Sequence, residues 1–159
     1  MLPKLIQMIL SAAVFACIFF TSAQAENYHI VSIQHQRFLP YELSLKGFKK
    51  GISQSALADK ITLEEYNADS DISALNVFIN KIDNRDDVDL IFSIGTQSTR
   101  RIIKEIKTTP IVFTDLGAPE TSGIITDWKQ SGANFTGVET QNYVGIGIHL
   151  LHELMAFKS

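Results

Sequence analysis

The chain has 159 residues, of which 14 are Lys or Arg and 17 Asp or Glu, giving a net charge of −3 at neutral pH with 45% hydrophobic residues. No cluster of basic residues falls on any predicted element, so the sequence carries no electrostatic footprint for nucleic acid. Its one cysteine, Cys17, lies in an amino-terminal apolar run, so the rest of the chain can form no disulfide and would tolerate an oxidising compartment.

Lys4 precedes a nearly unbroken apolar run from Leu5 to Phe20, then Thr21, Ser22, Ala23, Gln24 and Ala25, then the polar Glu26 and Asn27. A charged start, an apolar middle and a small-x-small site predict a signal peptide over residues 1–25, cleaved after Ala25, and hence a periplasmic protein. The run is shorter than the roughly 20 residues of a bilayer span, which disfavours a permanent anchor. Cys17 reads as one more apolar residue of that run, because Ile18, Phe19 and Phe20 continue it. Removing 25 of 159 residues leaves 134, residues 26–159, the size of one domain.

Residues 28–33 are short and β-branched, as in a buried first strand, and residues 34–40 are turn-like. From Tyr41 to about Leu57, Leu43, Phe48, Ile52 and Leu57 recur near helical spacing. Residues 60–66 predict a second strand. Asp69, Ser70 and Asp71 offer caps for a helix whose face is Ile72, Leu75, Phe78, Ile79 and Ile82. Residues 89–94 predict a third strand stopped by Gly95. Thr96 or Ser98 is the expected cap of the next helix, which carries Ile102, Ile103 and Ile106. Residues 110–114 give strand four, 115–119 a loop, 123–128 a short helix, 132–134 a turn and 135–139 a last strand. A final helix is expected from about Tyr143, with Ile146, Leu150, Leu151 and Leu154 on one face. This alternation predicts an α/β fold, a three-layer doubly wound parallel sheet.

In such a sheet ligands bind outside the carboxyl ends of the strands, where loops and helix N-termini present free backbone N–H groups. The candidates are Gln34 and His35 after strand one, Asn67 to Asp69 after strand two, Gly95, Thr96 and Gln97 after strand three, Asp115 and Leu116 after strand four, and Glu139 at the end of strand five. Gly95-Thr96-Gln97 is the most informative, since a glycine admits close approach while a hydroxyl and the helix dipole favour an anionic group; a plain turn capped by Thr96 is the simpler alternative. Gly145-Ile146-Gly147 lacks the third glycine of a dinucleotide fingerprint. His149 and His152 beside Glu153 do not follow the zincin order, so no metal is expected. No serine or cysteine stands on a strand-turn-helix elbow to pair with His35, so no catalytic residue is expected either.

Gly95-Thr96, then residues 109–114 (Thr-Pro-Ile-Val-Phe-Thr), then Gly123-Ile124, then residues 132–138 (Gly-Ala-Asn-Phe-Thr-Gly-Val) follow in an order that resembles ABC-transporter substrate-binding proteins of the tryptophan/tyrosine-binding type. Residues 45–51 (Leu-Lys-Gly-Phe-Lys-Lys-Gly) resemble that family's first helix. The resemblance covers most of residues 28–158. It implies a type I periplasmic-binding-protein fold, in which two α/β lobes close on a small ligand that stabilises the closed population by touching both. It also implies partners: a small-molecule ligand of the amino-acid class, aromatic members included, and an ABC permease in the inner membrane. No cofactor is implied. Gly95, Thr96 and Gln97 would grip the ligand's polar end, Asp115 would meet a cationic or donor group, and the loop after strand one would add a wall. Family members are about twice as long, so residues 26–159 correspond to the N-terminal lobe, with a second lobe expected to begin just after Phe157. A periplasmic sensor input and a truncated, non-functional remnant are the alternatives.

Overall fold

The structure, a computed structural model, describes residues 27–127, 129, 133–140, 150–151 and 153–154. The signal peptide expected over residues 1–25 lies outside them, as does most of the helix expected from Tyr143. Five parallel strands form one sheet in the order β2-β1-β3-β4-β5: β1 (Tyr28–Gln34), β2 (Ile61–Asn67), β3 (Leu90–Ile94), β4 (Ile111–Gly117) and β5 (Phe135–Thr140). Three helices cross between them: α1 (Leu39–Ser53), α2 (Ile72–Asp83) and α3 (Thr96–Glu105). The predicted α/β, doubly wound parallel sheet is the observed fold.

Strand composition follows position in the sheet. The central strands β1 and β3 are buried along most of their length; β3 is apolar except for Ser93, and β1 carries its apolar core as Ile30, Val31 and Ile33 around Ser32, with His29 and Gln34 towards its ends. A strand covered on both faces needs apolar residues at every position. Val31, Ile33 and Ile91 face the layer of α2 and α3, where Leu75, Ile79, Ile82 and Ile102 meet them. Ile30, Phe92 and Ile94 face α1 and pack against Leu45. There Phe48 stacks on Phe92, with ring centroids 4.0 Å apart. The edge strand β5 is mostly exposed and pays little in core packing.

Local chemistry sets the helix ends. Asp71 caps α2 as expected, its Oδ1 accepting from Ser73 N at 2.7 Å and Ala74 N at 3.3 Å. Helix α1 starts two residues earlier than its periodicity suggests, because Pro40 is tolerated in a first turn where its missing N–H has no intrahelical partner. It ends at Ser53 and does not reach Leu57. Ser53 and Ser55 Oγ donate to Lys50 O and Ile52 O, and a 3-10 turn, Ala58–Lys60, follows. Residues 123–127 form no helix: Gly123 and Ile124 close turns onto Glu120 O and Pro119 O, and Ile124 and Ile125 plug the core beside Phe113 and Leu116. No helix among the described residues is long and apolar enough to cross a membrane.

Candidate ligand-binding site

Because all five strands run parallel, their carboxyl ends form one rim, and the N-termini of α1, α2 and α3 lie beside it. The strand order reverses between β1 and β3, since β2 lies on one side of β1 and the later strands on the other. A crevice opens at such a switch point. It brings Gln34 and His35 at the end of β1 next to Gly95 and Thr96 at the end of β3.

Gly95 has φ +88° and ψ 160°, a region open essentially only to glycine. It lies under Tyr41 of α1, whose phenol occupies the space a Cβ would need. This packing ties the start of α1 to the turn entering α3. Burial, and then the nearby Asp115 carboxylate, hold the Tyr41 phenol protonated beyond its usual range. Neither Thr96 nor Ser98 caps α3. The cap residue is Gly95, with no side-chain bond. Ser98 Oγ is buried and donates backwards to Ile94 O at 2.5 Å, and Thr99 Oγ1 bonds Gly95 O at 2.9 Å. Thr96 is thus half-buried and not engaged in capping, with Gln97 exposed beside it.

Strand β4 runs through to Gly117, so Asp115 and Leu116 belong to a strand and not to a loop. The β4–β5 register shifts between Phe113 and Leu116, and Asp115 adopts φ +58° within this irregularity. The bulge turns Asp115 to the rim, where Thr140 Oγ1 lies 3.4 Å from Oδ1. Leu116 is fully buried with Phe113, Ile124 and Ile125, so its side chain serves the core and not the rim. Glu139 is exposed on β5, opposite Leu116.

Four buried side-chain atoms have no hydrogen-bond partner among the described residues: Gln34 Oε1, His35 Nδ1, Asn67 Nδ2 and Asp115 Oδ2. All four stand at the carboxyl ends of β1, β2 and β4. Buried polar groups are otherwise almost always paired. Between β1, β2 and the first turns of α1 the rim deepens into a recess of about 340 Å³, lined by Ser32, Gln34, Arg37, Glu42, Leu45, Glu65, Tyr66, Asn67 and Phe78. Tyr41, Glu42 and Glu65 were missed by the sequence reading. Polar residues two apart on one face of neighbouring strands, Ser32 and Gln34 in β1 and Glu65 and Asn67 in β2, are the signal that could have found this recess. No group of three or more His, Cys, Asp or Glu suited to a metal occurs among the described residues, and His149 and His152 lie outside them.

Comparison with known proteins agrees with this geometry. The family model for ABC transporter substrate binding proteins matches residues 30–157. No curated protein matches the sequence. Among solved structures, an ABC domain in complex with L-Trp from Streptococcus pneumonia is 22% identical with a TM-score of 0.71, covering 79% of this chain and 43% of its own. A ligand-free, open substrate binding protein with adhesive properties from Clostridium difficile is 24% identical with a TM-score of 0.69, over 79% and 43%. A conserved domain protein from Vibrio cholerae is 17% identical with a TM-score of 0.67, over 82% and 44%. The chain therefore spans less than half the length of each.

Proposed function

The chain belongs to the ABC transporter substrate-binding protein family, and from that membership we propose that it is the solute-binding component of an uptake system, offering the carboxyl ends of its sheet to a small ligand. The observation that carries the ligand reading is the set of four buried, unpartnered polar atoms on Gln34, His35, Asn67 and Asp115, all on one rim. A ligand that pairs them recovers hydrogen bonds that the rim otherwise leaves unmade.

In this reading residues 26–159 are the N-terminal lobe, exported to the periplasm once residues 1–25 are removed. Thr96 Oγ1 and the exposed backbone N–H groups entering α3 receive the ligand's anionic end, aided by the helix dipole. Asp115 receives its cationic or donor end. Those two requirements describe an amino acid. The L-Trp held by the Streptococcus pneumonia protein of the same fold supports that class. A second lobe would close over the ligand, and the closed form would be the one an ABC permease receives.

Thermal unfolding with a panel of amino acids and matched small carboxylates tests this. A ligand at a hundredfold excess over its Kd stabilises the native state by about 2.7 kcal/mol, a rise of several degrees in Tm. The rise should occur with amino acids and vanish in Asp115→Ala. A cooperative melt that no ligand moves contradicts the proposal.

A further inference from the structure

We infer that the recess under the first turns of α1 is a subsite for a carboxamide or other cis-amide group, one that presents a hydrogen-bond acceptor and a donor side by side. The inference rests on the reading of the rim as the ligand-binding face and names the chemistry of one part of it.

Gln34 and Asn67 are register partners on neighbouring parallel strands, and both side chains line the recess. Their amide orientations follow from their other bonds. Gln34 Nε2 donates to Glu42 Oε1 at 2.9 Å, which leaves Oε1 as the free acceptor. Asn67 Oδ1 accepts from Asp69 N at 2.8 Å, which leaves Nδ2 as the free donor. Reversing either amide would set like groups against each other, so the assignment is forced by the network. Gln34 is only 6% exposed, and its free oxygen cannot turn to solvent.

The two free groups therefore have opposite sense and share one cavity. A carboxylate offers acceptors only and would face Gln34 Oε1 with a second acceptor. An amidinium offers donors only and would face Asn67 Nδ2 with a second donor. An amide satisfies both. Of the charged side chains lining the recess, Glu65 is paired with Lys49 Nζ at 2.5 Å and Arg37 with Asp69 at 3.0 Å, while Glu42 Oε1 accepts from Gln34 Nε2 at 2.9 Å. Below the pair, on the same face, lie Ser32 and Glu65, two register steps further down the strands. Tyr66 and Phe78, from the opposite side of edge strand β2, add aromatic walls suited to a flat group. A cavity of about 340 Å³ lies within the range of small-molecule sites.

The test uses benzamide, benzoate and benzamidine, three probes of one shape that differ only in donor and acceptor pattern. Affinities for the full chain are measured by calorimetry or ligand-observed NMR. Benzamide should bind at least tenfold more tightly than benzoate and ahead of benzamidine. In Asn67→Asp the free donor becomes an acceptor, and the preference should pass to benzamidine; this gain of affinity cannot arise from misfolding. Val77→Ala, exposed on α2 and outside the recess, should leave the order of the three unchanged. Equal affinities, benzoate ahead of benzamide, no binding of any probe, or an order untouched by Asn67→Asp overturns the inference. Amino-acid binding that depends on Asp115 would still uphold the rim as a ligand site in any of those cases.

Discussion

Gly95 is the residue on which the rim's shape depends most. Its backbone lies in a region where a side chain costs roughly 1–3 kcal/mol, and any Cβ there meets the Tyr41 phenol as well. Gly95→Ala should lower unfolding free energy by at least that amount in urea titration and should weaken ligand binding together with it. Gly95→Ala melting like the parent would contradict this packing. At the opposite, amino end of the sheet, His29 sits between Glu64 at 3.2 Å and Asp87 at 3.0 Å, and Arg85 bonds the same carboxylates at 2.7 and 2.9 Å. Hydrogen bonding from Arg85 holds Asp87 well below the ordinary carboxylate value of 3.8, and hydrogen bonds from Tyr66 and Arg85 hold Glu64 below 4.5. Groups with a depressed folded-state pKa contribute stability that is complete above those ordinary values and lost as pH falls through and below them. The melting temperature should therefore decline on acidification from about pH 5, and Arg85→Met should flatten that decline. An unchanged acid limb in Arg85→Met would remove this network from the account.

Among the elements, α2 offers the cleanest test of local coding. Asp71 supplies its cap through two backbone N–H groups, so Asp71→Ala should cost about 1 kcal/mol. Urea unfolding reads this directly, and Asp71→Asn should recover most of the loss. Helix α2 was legible because capping chemistry and the Leu75, Ile79 and Ile82 stripe point to the same segment. The end of α1 was not: Leu57 continues the apolar spacing, yet Ser53 and Ser55 divert their hydroxyls to backbone carbonyls and close the helix first. Residues 123–127 misled for a similar reason, since Ile124 and Ile125 are core plugs on a turn and not one face of a helix. Strand β4 was read three residues short because Asp115 and Gly117 look like turn residues, whereas Asp115 adopts its left-handed backbone within a register shift inside the strand. The rim itself was foreseeable from strand order alone. The recess depended on α1 reaching Gln34 through Glu42, a contact that no local pattern encodes.

For the whole molecule, one parallel sheet divides the labour between its two ends. The amino ends are joined by ion pairs of Arg85 with Glu64 and Asp87, and by His29 in contact with the same two carboxylates. The carboxyl ends carry the four buried polar atoms without partners. Ligand binding should therefore leave the amino end unaffected and act on the carboxyl end alone. Backbone amide NMR of the chain, with and without a saturating amino acid, tests this most directly. Shifts should gather at residues 34–36, 67–69, 95–97 and 115. Shifts gathered instead around His29, Glu64 and Asp87, or none at saturation, would contradict it.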